Sequence, residues 1–341
     1  MQLTTTMTKK IETKSRRRTP WTGVSEATPM QIFIETCTRD DYEGKHPEIK
    51  GSAEIPLLNS MSVEECRQCG SGHIKKRGFT ANGLQRYKCL DCGCSFNILT
   101  NTLFDCHKIP LTEWLDFLLD IFGYGSFSLT SKANRNSINT TKYWIEKVFL
   151  MVFLMLEDYQ KDIVLGGKVW IDETFYRVRE PDVQRRPDGK EYRGLSRNQQ
   201  CIAIGTDGTD IFAVVEGTGK TSSKRTWDAF SSHIKEESHL IHDMEKSHGI
   251  LVSRLNLTSE VHDSRVTKNL ADKDNPMDPV NQACRMLKLF LRSHSGFMRE
   301  DLQDYLNLFC FIMNPPENKY EKLEKLLNLA VHYPKVHRFR G

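Results

Sequence analysis

The sequence predicts a mixed α/β protein built from three successive parts. Three observations carry that reading. Two Cys-x2-Cys pairs, Cys66/Cys69 and Cys89/Cys92, flank two short strand-like runs. Between residues 108 and 157, apolar residues recur at helical spacing. From about 165 to 250, short apolar runs alternate with Gly/Asp turns in the order strand, strand, strand, helix, strand.

The gross numbers set the frame. The chain has 341 residues, 38% hydrophobic and 27% charged, with a net charge of +4. That is room for two domains and a sizeable core. The mild basic lean permits a nucleic-acid partner without arguing for one. Residues 1–60 lack strong periodicity and read as partly disordered. Their first 18 residues hold Lys9, Lys10, Lys14, Arg16, Arg17 and Arg18 against one acid, Glu12. Such an arm can track phosphates or simply stay solvated. The tail, 331–341, is basic too. The N-terminus lacks the apolar core of a signal peptide. The longest apolar run, Val148 to Leu156, has nine residues, against roughly 20 for a membrane span. It reads as a buried helix, and a soluble, intracellular protein with no membrane partner is expected. Ten cysteines then suggest metal ligands and core thiols, not disulfides.

Residues 61–100 form the first part. Four thiolates at the spacing of Cys66, Cys69, Cys89 and Cys92 suit tetrahedral zinc. Each pair is followed by a glycine, Gly70 or Gly93, that lets the backbone turn its amides towards sulfur. "HIKKRGF" and "LQRYKC" supply two strands, so this is a zinc ribbon. Cys94 competes for register, but Cys92 keeps the spacing, and His73 is not needed once four cysteines fill the shell. Lys75, Lys76, Arg77, Arg86 and Lys88, interleaved with Phe79 and Tyr87, suit nucleic acid. Ribbons of this kind also bind proteins.

The second part is helical, 108–157. "IPLTEWLDFLLDIFGYG" places Leu111, Trp114, Leu115, Phe117, Leu118, Ile121 and Phe122 on one face, and Gly123 and Gly125 stop it. A short helix from Ser128 to Asn134, a turn at Asn136-Ser137, an N-cap at Asn139 and a helix from Thr140 to Phe149 fit a helix-turn-helix. Thr140, Thr141, Lys142 and Tyr143 would then face a groove. Plain helical packing explains the same pattern.

The third part, 165–330, carries the chemistry. "KVWIDETFY" is an apolar strand ending in Asp172-Glu173. "QQCIAIGTDG" and "DIFAVVEGTG" read as a hairpin turned at Asp207-Gly208, "KRTWDAFSSHIKEES" as a helix, and "SHLIHDMEKSH" as a strand ending in Asp243. A lone aspartate at a strand end is usually a cap. Two, released by strands that can lie side by side, repel each other and are costly to leave unpaired. A divalent ion with oxygen ligands, magnesium or manganese, resolves that cost. Two such ions can clamp the attacking and leaving oxygens of phosphoryl transfer.

These residues resemble a known group: bacterial insertion-sequence transposases with an N-terminal zinc ribbon and a DDE-type, ribonuclease-H-like catalytic domain. The resemblance is carried by "IDETF", "RGLSRNQQCIAIGTDG", "HDMEKSH" and "NPMDPVNQACRMLKLFLRSHSGFMREDLQDYLNLFCFIMN", and covers about residues 62–330. It implies that Asp172 and Asp243 are the first two catalytic, metal-holding carboxylates. The third acid of the superfamily falls on Asn281, a variant pattern found within the zinc-ribbon subgroup. An asparagine offers one neutral oxygen and holds a second metal more weakly. Asp278, one helical turn earlier, is the alternative acid, and Asp274 a weaker one beside the turn at Asn275-Pro276. Glu173 points to the other strand face and reads as supporting. Lys246 and His248 are placed near phosphate or on the surface.

The resemblance implies binding to terminal inverted repeats and target double-stranded DNA, a dimer or higher oligomer on that DNA, and a bacterial cytoplasm, with the protein associated with the nucleoid. Two other readings stay open: a catalytically inactive DNA-binding derivative, motivated by Asn281, and a nuclease of the same fold. Cys201, Cys284 and Cys310 lie in apolar runs and read as core thiols. "YLNLFCFIMN" reads as a buried closing helix.

Overall fold

The computed structural model describes residues 53–332, apart from 107–109, 135, 179, 268 and 296, together with residues 29, 30 and 33. The basic arm, Cys37 and the tail from Lys335 lie outside the described residues.

The first part has one more helix and one more strand than expected. Helix α1 (Glu54–Ser60) precedes a three-stranded antiparallel sheet of β1 (Ile74–Phe79), β2 (Gln85–Cys89) and β3 (Ser95–Phe96). Leu58 of α1 is buried in the same core as Leu84, Ile98 and Leu111. The Asn59 side chain accepts from the Gln85 amide at 2.7 Å and donates to the Gly83 carbonyl at 2.9 Å, tying the helix to the hairpin turn. Glu54 accepts from the amide of Leu111, the first residue of the next helix.

The helical part contains α2 (Leu111–Phe122), α3 (Phe127–Ala133) and α4 (Ile138–Leu150). Gly123 ends α2, as its sequence predicts. Trp114 stacks on Trp144 with ring centroids 4.5 Å apart, locking α2 to α4. Ser126 caps α3 through the Leu129 amide, and Ser137 caps α4 through the Thr140 amide. The expected cap at Asn139 is therefore displaced: Ser137 lies two residues earlier and already satisfies an orphan amide, so Asn139 falls inside the helix. The apolar run from Val148 is not one buried helix either. After Leu150 the backbone widens into a π turn, Met151–Met155, which leaves Phe153 and Leu154 exposed.

The third part is a five-stranded mixed sheet of β4 (Lys168–Arg177), β5 (Gln199–Thr206), β6 (Ile211–Thr218), β7 (His239–Asp243) and β8 (Thr258–His262), ordered β6-β5-β4-β7-β8. β4, β5 and β6 form an antiparallel meander, whereas β7 and β8 add parallel to β4. The mixed α/β class and the strand-strand-strand-helix-strand order are as expected. β8 is a strand the sequence does not predict: the stretch from 252 to 278 is polar, and an exposed edge strand needs no apolar alternation. The helix after β6, α5 (Ser223–Phe230), stops earlier than its pattern predicts. Beyond it, Ile234 leaves the helix to bridge Leu165 beside β4.

Alternation along the strands makes two faces. Val169, Ile171, Ala203, Phe212 and Leu240 pack with Phe230 of α5 and with Leu251 of α6 (Gly249–Arg254). Ile202, Ile204, Ala213 and Ile241 share a core with α8 (Asp278–Ser293) and α9 (Leu302–Met313). A short helix, α7 (Ser264–Thr267), precedes α8, and α10 (Lys319–His332) follows α9. Helix α9 is buried nearly all round, as expected for a closing helix.

Edge strand β6 is sealed by side-chain amides. Asn314 brackets Ile211, accepting from its N–H at 2.7 Å and donating to its C=O at 2.8 Å. Gln160 does the same for Ala213 at 2.8 and 2.7 Å, and Gln303 accepts from the Val215 N–H at 3.0 Å. Three amides thus occupy the positions a sixth strand would fill, which protects the edge from pairing with another chain.

Candidate functional site

In the ribbon, Cys66, Cys69, Cys89 and Cys92 bring their sulfurs within 4.8 Å of one another. The Cys66–Cys92 and Cys69–Cys89 sulfur pairs are each 3.7 Å apart. Ligand bonds of about 2.3 Å in a tetrahedron require about that separation, so the donor set fits zinc. Gly70 and Gly93 have φ of +73° and +72°, the left-handed turn that only glycine makes cheaply. The amides of Gln68 and Cys92 donate to the sulfurs of Cys66 and Cys89, each at 3.4 Å. His73 is outside the thiol set and pairs with Asp91 at 3.2 Å. Cys94 is closer than spacing suggests: its sulfur is 3.3 Å from that of Cys66 and 3.2 Å from that of Cys92. It touches one edge of the thiol set without belonging to the group of four.

The proposed DNA-facing residues divide. Lys75, Lys76, Arg77 and Arg86 are exposed on β1 and β2, with Phe79 beside them. Tyr87 is not on that surface: it is buried and stacked on Phe96, 5.7 Å between centroids. On α4, Lys142 and Tyr143 are exposed and Thr140 is half-buried. Thr141 is 2% exposed, so it cannot meet a groove. It falls on the helix stripe shared by Trp144, Ile145 and Val148, which packs inward.

The acidic site is built by strand register. β4 and β7 pair in parallel, Trp170 opposite Ile241. Carrying that register two residues further sets Asp172 beside Asp243, both on the face that meets α8. Trp170 Nε1 donates to the Pro276 carbonyl at 2.9 Å, which pins the start of α8 alongside β4. Burial, then the charges of Glu173 and Asp243, push the Asp172 carboxyl up to about 7. The N–H of Glu173 donates to Asp172 at 2.8 Å and that of Glu245 donates to Asp243 at 2.9 Å, which fixes both carboxylates. Asp172 does not end its strand as expected: the apolar run stops there, but β4 continues to Arg177 because β5 goes on pairing with it, and only the parallel ladder with β7 stops at Trp170. Closely set carboxylates whose charges oppose each other, just beyond that ladder, are a donor set that fits a hard divalent cation.

On α8, the side-chain amide of Asn281 makes no hydrogen bond among the described residues. Asp278, at the helix start, accepts from Gln282 at 2.6 Å. Asn281 lies one turn before Cys284, whose buried thiol is pushed up by burial and then by the Asp172 charge. The helix therefore runs past Asp172 with Asn281 on its flank.

The largest departure from the sequence reading is His248. It is not on the surface: its side chain is 0% exposed. Its Nε2 donates to Glu173 at 2.8 Å, and its Nδ1 lies 3.6 Å from Asp243. Burial alone would lower this imidazole; the Glu173 hydrogen bond and the carboxylates of Glu173, Asp243 and Asp172 outweigh it and raise it. Glu173 thus faces away from α8, as alternation predicts, and its partner is the segment after β7. His242 adds a second buried imidazole, pushed down to about 4 by burial and then by His248. His242, Asp243 and His248 hold ligand-type atoms within 4.8 Å of one another. Asp172 is not one of that trio and joins Asp243 through register and charge. The signal in the sequence was the spacing of His248 from Asp243, but nothing local distinguishes a buried histidine from an exposed one there.

No protein-family model matches the chain, and no curated protein matches it. Among solved structures, it is similar to the simian T-cell lymphotropic virus intasome in complex with PP2A regulatory subunit B56 gamma, at 8% identity over 52% of this chain and 59% of that one, with a TM-score of 0.29. It is also similar to the catalytic domain of Mos1 mariner transposase, at 12% identity over 57% of this chain and 95% of that one (TM-score 0.29). For the Mos1 strand transfer complex the values are 12%, 67% and 78%, with a TM-score of 0.28. The match thus spans less than two thirds of the intasome chain. Likeness at this level carries no residue roles, and the functional reading rests on the site itself.

Proposed function

We propose that the chain is a DNA transposase that binds the ends of an insertion sequence and performs metal-dependent cleavage and strand transfer. The observation that carries this is the placing of Asp172, in mid-β4, beside Asp243, at the end of β7, just past the last paired residues of the two parallel strands, with Asp172 held in a setting that disfavours its own charge. Asp172 and Asp243 would hold magnesium or manganese, with the neutral oxygen of Asn281 completing the set and Asp278 as the alternative. A bound divalent ion would supply Lewis-acid activation at phosphorus. The protein's own part is orientation. The Glu173 and Glu245 amides fix the two carboxylates, and the Glu173–His248 pair ties β4 to the segment that carries Asp243. Hydrolysis at an element end and attack by the freed 3′-hydroxyl are both in-line displacements, so one site serves both.

The ribbon surface at Lys75, Lys76, Arg77 and Arg86, with Thr140, Lys142 and Tyr143 on α4, would bind double-stranded DNA, both terminal inverted repeats and target. Zinc in the four-cysteine site would shape that surface. Engagement of two ends implies a dimer or higher oligomer on DNA. A cytoplasmic, nucleoid-associated bacterial setting is part of the same proposal; among the described residues, no helix is long and apolar enough to cross a membrane.

Asn281 favours a second reading, a derivative that only binds DNA; a nuclease of this fold, which cuts but does not join, is the third. Incubation with Mn2+, pre-cut element ends and a supercoiled plasmid decides among them. Joined products establish the transposase, cleavage without joining a nuclease, and neither a binding protein.

A further inference from the structure

Helix α8 does more than present Asn281. Arg285, Lys288 and Arg292 follow it at steps of four, three and four residues, and at 3.6 residues per turn these four positions form one stripe. The stripe begins at the level of Asp172 and runs along β4, away from the carboxylates. Two contacts fix that direction. The Trp170 ring holds Pro276 just before the helix start, and the Tyr176 hydroxyl donates to the Leu291 carbonyl, at 3.5 Å, near its end. Asp172 and Tyr176, four residues apart, share the α8-facing side of β4.

At the far end the stripe opens into a cavity of about 540 Å³, lined by Tyr176, Phe297, Lys288, Arg292, Arg177 and Arg299. Tyr176 and Phe297 stack there at 5.4 Å and 10° between ring planes. Some of the cations are already engaged. Arg285 pairs with Asp272 at 3.3 Å, and Arg177 with Glu191 at 2.8 Å. Arg299 donates to the Arg197 carbonyl at 3.3 Å. Lys288 and Arg292 are exposed and make no ion pair among the described residues. Two uncommitted cations on a straight stripe, ending at stacked rings in a concave site, match a phosphodiester backbone with unstacked bases.

We propose that this α8 track, from Asn281 through Lys288 and Arg292 to the Tyr176–Phe297 cavity, carries a single strand of DNA leading away from the carboxylate pair. The proposal rests on the transposase reading and adds a path for the strand, separate from the duplex surface of the ribbon and α4.

The test uses the full chain with its zinc. Affinity for a fluorescein-labelled 20-mer of mixed sequence is measured as a single strand and as a duplex, across a salt series, for wild type, Lys288→Ala/Arg292→Ala and the charge-keeping Lys288→Arg/Arg292→Lys. Both positions are exposed on a helix, and zinc content and circular dichroism check the fold. Loss of two phosphate contacts lowers the single-strand salt slope by about 1.4 and the affinity roughly 25-fold at 0.1 M salt. The duplex is expected to change less than threefold, and the charge-keeping variant to bind like wild type. An unchanged single-strand slope, a loss equal for both DNA forms, or no single-strand binding by wild type overturns the track. Mn2+-dependent cleavage by the same wild-type preparation reports separately on the transposase reading, so the two can fail independently.

Discussion

Replacing Asp172 by asparagine should make the protein more stable at neutral pH when its acidic site holds no metal. The side chains are nearly isosteric, so the change removes a charge and little else. The folded carboxyl is pushed up from 3.8 to about 7, by burial first and by Glu173 and Asp243 next. The folded protein therefore keeps a proton that the unfolded chain releases near pH 4. Across that window the native state binds more protons, and stability falls as pH rises from about 4 to about 7. Each unit is worth about 1.4 kcal/mol, which gives a ceiling of about 4 kcal/mol. Asp172 is only partly enclosed, so about 2 kcal/mol is a fairer expectation after solvent screening. Urea denaturation of wild type and Asp172→Asn, in buffer free of magnesium and manganese with zinc left in the ribbon, measures the difference from pH 5 to pH 8. The variant should gain on wild type as pH rises. Mn2+ at about 100 times its dissociation constant should then stabilise wild type by about 2.7 kcal/mol and leave the variant unmoved. A variant no more stable than wild type at pH 8, with a difference flat in pH, would refute the idea that Asp172 is held in a charge-disfavouring site that a cation relieves.

Other consequences can be checked on the same protein. One zinc per chain is expected by elemental analysis; Cys69→Ser should lose it, and His73→Ala should keep it. Asn314→Ala leaves the Ile211 N–H and C=O without their partners and should cost about 1–3 kcal/mol in urea denaturation, without altering metal affinity. Lys142→Ala should weaken duplex binding with stability unchanged within about 0.5 kcal/mol. Thr141→Arg, by contrast, should destabilise by more than about 2 kcal/mol, because it forces a charge into the helix core.

What could be read in the sequence followed from periodicity and spacing. The four cysteines and their two glycines are local, so their geometry was visible before any fold. The two aspartates could be paired because each follows a short apolar run, although only Asp243 ends its strand; β4 runs on past Asp172 to Arg177, where pairing with β5 rather than hydrophobicity extends it. Features that depend on tertiary partners were not visible. β8 escaped because its polar edge has no alternation. Thr141 could not be told from Lys142 until α4 was packed on α2 through Trp114 and Trp144. The early end of α5 is set by Ile234 joining Leu165, a contact across some 70 residues that no helix pattern encodes. The surface placement of His248 fails for the same reason: its hydrogen-bond partner, Glu173, comes from β4, some 75 residues away. The stripe on α8 was present in the sequence but acquires meaning only once β4 shows where it leads.

The most direct test of the central claim is Mn2+-dependent cleavage of DNA carrying the element's own ends. Wild type would be compared with Asp172→Ala, Asp243→Ala, Asn281→Ala and Asp278→Ala. Cutting by wild type, abolished by either aspartate change and reduced by one of the α8 changes, is the predicted result. Full cutting by Asp172→Ala or Asp243→Ala, or binding of those ends by wild type with no cutting at any Mn2+ concentration, would contradict it.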